Sequence, residues 1–424
     1  MTKYDRRTLL TNPTLPTGLL PLSHRLRPSV IVLEVWLAIL AMCFAPVLQA
    51  ETRLSGYLKS YLVLQDELRI TDLVALESRQ QLQNGTRLMF DHTDEDISFE
   101  LHYELSPVLS STAASSQVAT LPVQRNAYRL TDPDRILIAE SGLTVFGNLD
   151  RANVKWRRNW GDLTVGRQPI TFGAARIINP TDVFLPFNQQ ALNTEYRVGV
   201  DAIRLQRPLG MLSELDMGLI LGPDADPDQS AAYVQLLVNV AGHDLSMTTA
   251  QFSDHKLLGV GTQTAVGQLG VWFEFAVVSG VDSYHRLSTG FDYAFNENWF
   301  LMVEAHYNSS GAESPDQYPL VRGSAPFQRG EVHLSGRRYL IPVLSWQMSP
   351  LATMSAQSII NLSDQSVFTT LTASRNVTQN THMDIGLQWF TGDRSTFTPP
   401  FDFRTGSEFG DRPTVLFGSV RWYF

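Results

Sequence analysis

From residue 54 to its last residue the chain is written in segments of about ten residues, with apolar side chains at every second position and turn residues between segments. Successive side chains of a strand point to opposite faces, so a period of two calls for strands with one apolar and one polar face. The last segment is the plainest. Leu416, Gly418, Val420, Trp422 and Phe424 make a face without charge, and Val415, Phe417, Ser419, Arg421 and Tyr423 make the other. Trp299, Leu301, Val303, Ala305 and Tyr307 alternate in the same way with Phe300, Met302, Glu304, His306 and Asn308. No helical period of comparable length appears after residue 50.

Eighteen such segments can be counted. The long connections, 106–147, 169–197, 309–336 and 391–412, each follow an odd-numbered segment, and tight turns such as Asn159-Trp160-Gly161 follow even ones. Long loops at one end and short turns at the other are the mark of a transmembrane barrel. A lipid core offers no partner to an open backbone group, so strands can span it only as a closed barrel. The expected fold is therefore all-β: an antiparallel transmembrane barrel of about eighteen strands over residues 51–424, with sixteen as the alternative count. A soluble sandwich or propeller would also alternate, but no blade-length repeat is present. Only 18% of residues are charged, 43% are hydrophobic, and the mean hydropathy is −0.09. That balance suits strands shared between lipid and lumen and is far too polar for a helical bundle in a membrane.

Residues 1–50 read differently. Arg25 and Arg27 precede an apolar run over 35–48, broken by Pro46 and ending in Leu48-Gln49-Ala50. This is the order of a secretory signal peptide. The alternative is a membrane anchor, for which the run is shorter than the ~20 residues a spanning helix needs. The single cysteine, Cys43, lies in this segment, so cleavage after Ala50 leaves no thiol for a disulfide, metal or nucleophile. A terminal aromatic on an alternating strand, Phe424, resembles the C-terminal signal of Gram-negative outer-membrane proteins. Outer-membrane lipid and the barrel-assembly machinery are then the expected partners.

The net charge is −9. Residues 1–50 hold five Lys/Arg and two Asp/Glu, which leaves −12 on residues 51–424. Nucleic acid is not an expected partner of such a surface. Against that background residues 148–207 stand out, with nine Lys/Arg and five Asp/Glu. Arg151, Lys155 and Arg157 alternate with Ala152, Val154 and Trp156 and should face the lumen; Arg204, between Ile203 and Leu205, should do the same. Two readings stand side by side. Arginines on a low-dielectric wall would draw anions inward, or they would pair with lumenal carboxylates in a network that fills the barrel.

Gly166-Arg167-Gln168, Phe172-Gly173, Arg176, Arg197 and Asp201-Ala202-Ile203-Arg204-Leu205 resemble the pattern of alginate-export-type outer-membrane proteins. The resemblance covers about 45 residues. It implies an eighteen-strand barrel, an electropositive lumen for an anionic uronate polymer, and Arg167, Arg176, Arg197 and Arg204 at or near the constriction. The connection 177–187 departs from that family: it is rich in apolar residues and proline, and includes Asn179, Pro180, Asp182 and Phe184. Exposed apolar loops are costly, so it is expected to fold into the lumen and narrow it, with packing over the rim as the alternative.

The catalytic and metal motifs of enzymes are missing from the pattern. The nine histidines include no H-E-x-x-H, and there is no G-x-S-x-G or phosphate loop. Ser288 and His306 would meet on neighbouring strands, both lumenal. Asp224, Asp226 and Asp228 have a spacing that could hold Ca²⁺, but Pro223 and Pro227 read as a solvated turn. The expectation is an outer-membrane channel, with no enzyme activity and no cofactor, passing small anionic solutes or uronate-type saccharides. The alternatives are the exit component of an export system and a plugged structural or adhesive barrel.

Overall fold

The computed structural model describes residues 52–424 apart from 70–74, 112–127, 132–134, 185, 187–191, 194 and 399–401. The signal-peptide reading of residues 1–50 lies outside the described residues. The wall begins with β1 (Thr52–Gln65), β2 (Arg79–Thr93), β3 (Ile97–Ser110), β4 (Leu143–Arg158), β5 (Gly161–Gln168) and β6 (Val200–Pro208). It continues through β7 (Glu214–Leu221), β8 (Ala231–Val240), β9 (His243–Phe252), β10 (His255–Val266), β11 (Leu269–Ser279) and β12 (Tyr284–Ala294). It ends with β13 (Trp299–Asn308), β14 (Arg338–Ser349), β15 (Ala352–Asn361), β16 (Val367–Asn376), β17 (Thr381–Thr391) and β18 (Val415–Tyr423).

Each strand pairs antiparallel with the next, and β18 returns to β1 through the register Tyr57 to Tyr423 and Gln65 to Val415. The barrel is therefore closed by eighteen strands. Phe424 extends the seam: its N–H donates to the Gly56 carbonyl at 3.0 Å and its carbonyl accepts from the Gly56 N–H at 2.9 Å. None of the helices formed by the described residues is long and apolar enough to cross a membrane; the strands do the crossing.

The alternation read in the sequence decides which way each side chain points. On β11, Phe273 and Val277 are exposed on the outer face, while Trp272, Glu274, Ala276 and Val278 are buried inside. On β18, Leu416, Val420 and Trp422 are outside, and Val415, Phe417 and Ser419 are buried. Near the short-turn end the outer face carries Trp299 and Trp346, stacked with centroids 5.3 Å apart, the placement of an interfacial aromatic girdle.

One bulge breaks the pattern where it matters. Between β3 and β4, His102 pairs with Arg151 but Tyr103 pairs with Leu149, so Asp150 is an extra residue. A bulge of this kind re-aims a side chain, and here both Asp150 and Arg151 are buried.

Candidate functional site

The described residues of the connection after β5, within 169–199, pack against three separate parts of the inner wall. Ile170, Phe172, Val183 and Phe184 join a buried cluster with Tyr233, Phe252, Leu257, Val278 and Tyr284 of the inner face of β8–β12. Ile177 and Ile178 pack on the cluster of Tyr339, Ile341, Ile359 and Phe368. Leu192 packs on Tyr61, Val63, Val415 and Phe417. The apolar residues that make this loop unusual thus meet apolar residues on a wall that would otherwise be wet. Phe184 lies edge-on to Tyr128, Phe172 and Phe252, with centroids 5.1, 5.8 and 5.9 Å away. Burying a side chain of this size is worth about 1.5–3 kcal/mol.

Two buried carboxylates hold the loop's backbone. Glu274 of β11 accepts from the N–H groups of Ala174 at 2.6 Å, Ala175 at 2.8 Å and Thr181 at 2.7 Å, and from the Thr181 hydroxyl at 2.6 Å. Glu304 of β13 accepts from the N–H groups of Arg176 at 3.0 Å, Ile177 at 3.1 Å and Ile178 at 2.8 Å, and from Trp272 Nε1 at 2.9 Å. An ionised carboxylate can be buried only when its lone pairs are satisfied in this way. Gly173, at φ +132°, makes the turn just before the gripped residues; a Cβ there would meet Asn179 Oδ1 at 2.1 Å.

The far end of the loop returns to β1–β4. Glu195 accepts from Lys59 Nζ at 2.5 Å and from the Tyr423 hydroxyl at 2.8 Å. Burial raises the Glu195 carboxyl, but these two bonds and the nearby positive charge outweigh it and hold the pKa below the ordinary value. Tyr196 lies between Tyr57, stacked at 5.7 Å, and the Arg87 guanidinium, 4.2 Å from its ring centre. Asp150, the bulge residue, binds Arg87 and accepts from the Gly199 N–H at 2.9 Å.

The sequence-derived basic residues divide into tightly and loosely held groups. Arg151 bonds its neighbour Asp150 at 2.8 Å and the Arg197 carbonyl at 2.7 Å. Arg197 binds Asp182, which is buried. Arg204 grips Asp216 through Nε and Nη2, and Asp216 also accepts from the Tyr233 hydroxyl. Arg167 takes Asp201 with both prongs at 2.8 Å. Its direction differs from the constriction role implied by the family resemblance. On β5, Thr164 and Gln168 face inward with Asn153 and Lys155, whereas Arg167 shares the face of Leu163 and Val165 and pairs across with Ala152 and Asp201. Arg167 is nonetheless buried, 5% exposed, so its guanidinium is covered.

Three cations remain without close carboxylate partners. Lys155 Nζ is 3.8 Å from Asp162, beyond hydrogen-bond range. Arg157 reaches the Asp94 carbonyl and the Ser98 hydroxyl, each at 3.1 Å. Arg176 is exposed on the crossing loop with its guanidinium 5.7 Å from the Trp272 ring centre. Lys155, Arg157, Thr164, Gln168 and Arg204 line a lumenal recess of about 290 Å³ together with Asp91 and Glu100.

Other sequence-derived candidates find structural work. The Ser288 hydroxyl donates to the Ile178 carbonyl at 2.6 Å and lies 2.8 Å from His306 Nδ1. A hydroxyl has one proton, so His306 Nδ1 must be the donor in that contact and cannot serve as base to this serine. Asp226 folds back on its own turn, accepting from the Asp228 N–H and Gln229 Nε2. Among the described residues no group of His, Cys, Asp and Glu is placed to hold a metal ion.

Neither a protein-family model nor a curated protein sequence matches the chain. Solved structures do. Acinetobacter baumannii OccAB4 superposes with a TM-score of 0.60 at 9% identity, covering 89% of this chain and 99% of its own. The Pseudomonas aeruginosa outer membrane protein OpdK does so with a TM-score of 0.55 at 12% identity, covering 89% of this chain and 100% of its own. At such identities the likeness concerns the fold. The alginate-export resemblance therefore rests on its short motifs alone, while the whole wall, its closure and the course of its strands are similar to those of Occ outer-membrane proteins.

Proposed function

We propose that the chain is an outer-membrane channel that passes small anionic solutes, above all carboxylates, through a lumen narrowed by residues 169–199. The observation that carries this reading is the grip of Glu274 and Glu304 on the loop backbone, which holds a segment from the β5–β6 side against the wall at β11–β13. The long-loop end is then extracellular and the short-turn end periplasmic. Arg176 on the loop, and Lys155 and Arg157 in the recess, are the cations left to attract a carboxylate. The paired arginines, Arg151, Arg197 and Arg204, shape the passage. Weak contacts made one after another let a solute enter and leave. OpdK has also been solved with vanillate, an aromatic carboxylate, in a barrel of the same fold. Phe424 on β18 would serve as the signal read by the barrel-assembly machinery.

Planar-bilayer conductance of the refolded protein under a salt gradient tests the reading. Steady conductance with anion preference is expected. Strict cation preference would overturn the choice of solute, and a barrel that never conducts would favour the plugged, structural alternative.

A further inference from the structure

Arg286 of β12 is buried, 3% exposed, and no carboxylate of the described residues pairs with it. Its Nη1 donates to the Glu331 carbonyl at 2.9 Å and its Nη2 to the Pro180 carbonyl, so it joins the crossing loop to the connection 309–337. Its Nε is a buried donor without a partner. Asn308 of β13 is its direct cross-strand neighbour. The Asn308 Oδ1 accepts from Ser310 at 2.8 Å, but its Nδ2 is also buried without a partner. Both residues line one cavity of about 30 Å³ between the two loops.

The carboxylates on that cavity are already bound. Asp182 holds Arg197, and Glu331 holds Arg329 at 2.6 Å and the Tyr284 hydroxyl at 2.7 Å. Buried His333 is held below its ordinary pKa by desolvation and is neutral at pH 7. A buried guanidinium whose hydrogen bonds go only to carbonyls, with the Tyr284 ring centre 5.7 Å away, carries a large uncompensated desolvation cost. The third unpartnered atom, Asn179 Oδ1, becomes a donor if the amide makes a half-turn, which exchanges its oxygen and nitrogen.

We propose that this cavity binds one chloride-sized monovalent anion, held by Arg286 Nε and Asn308 Nδ2, which locks the crossing loop to the connection 309–337. About 10–15 Å³ suffices for one water-sized occupant, so the cavity admits a halide and is too small for sulfate or a carboxylate solute. The site is structural: it lies in the packing between the two loops. Its failure would leave the channel reading untouched, because the test below reads occupancy and stability, not conduction.

Two measurements decide. Crystals of the full chain soaked in sodium bromide should show an anomalous peak within hydrogen-bond distance of Arg286 Nε and Asn308 Nδ2. Only water there, with no anomalous signal, overturns the proposal. In solution, thermal unfolding in sodium chloride should exceed that in sodium gluconate at equal ionic strength by about 2 °C or more. The Asn308→Asp variant supplies its own anion beside Arg286 and should lose this difference. Equal midpoints for the unmodified protein in the two salts, or an undiminished halide effect in Asn308→Asp, would each sink the site.

Discussion

Glu274 binds Thr181 twice, through its backbone N–H at 2.7 Å and its hydroxyl at 2.6 Å, across a sequence separation of 93 residues. With Ala174 and Ala175 on its other oxygen, it is a receptor for the backbone of the crossing loop. Glu274→Gln keeps the shape but turns one acceptor into a donor facing donors. Each lost buried bond costs about 1–3 kcal/mol, enough to let the loop leave the wall. Single-channel conductance should rise and become noisy. An unchanged, quiet trace would show that residues 169–199 do not set the narrowest point.

Ion preference should follow the cations that carboxylates hold loosely or not at all, Lys155 with Asp162 at 3.8 Å and Arg176. Arg176→Gln combined with Lys155→Gln should lower the anion-to-cation permeability ratio about two- to fivefold, the factor given by a charge worth ~0.4–1 kcal/mol. Arg167→Gln is the contrast. Arg167 is buried, 5% exposed, in register with Asp201 and bound to it, so its loss should reduce stability and leave the reversal potential where it was. If Arg167→Gln shifts selectivity and the double variant does not, the division between tightly and loosely held cations is wrong.

These two experiments also mark how far the sequence could be read. The eighteen strands and the odd-even placement of the long loops were legible because lipid on one side and water on the other impose the period of two. The inward course expected for 177–187 rested on apolar residues such as Ile177, Ile178 and Phe184, which a solvated loop would not carry together, and these three pack on buried clusters of the wall. Glu274 and Glu304 were not legible. Each looks like any lumenal carboxylate in an alternating strand, and its role depends on a loop about 100 residues away. The bulge at Asp150 was equally hidden, since one extra residue leaves no mark in composition. Arg167 was placed near the constriction by the motif resemblance alone, and its pairing with Asp201 left no mark in that motif.

Acid should loosen the return of the loop to β1. Glu195 has a depressed pKa in the folded protein, so its contribution is present above the unfolded value of about 4.3. It is lost as pH falls through the lower folded value. Protonation weakens the bonds from Lys59 and Tyr423. Current fluctuations should therefore grow as pH is lowered from 6 to 3, and Glu195→Gln at pH 7 should fluctuate like the unmodified protein in acid. A variant as quiet as the parent at neutral pH would remove Glu195 from the latch.

The last residue offers a separation of folding from targeting. Phe424 adds two backbone hydrogen bonds to the β1–β18 seam, and its ring lies 5.1 Å from that of Trp422. Each bond is worth about 1 kcal/mol net, a small part of a closed barrel. Deleting Phe424 should thus leave detergent refolding nearly intact. If the aromatic terminus is what the assembly machinery reads, the same deletion should lower the amount of folded protein in the outer membrane several-fold. Heat-modifiable migration on gels would measure both. Equal losses in detergent and in cells would instead assign Phe424 to the seam alone, because a purely structural contact acts the same way wherever the barrel closes.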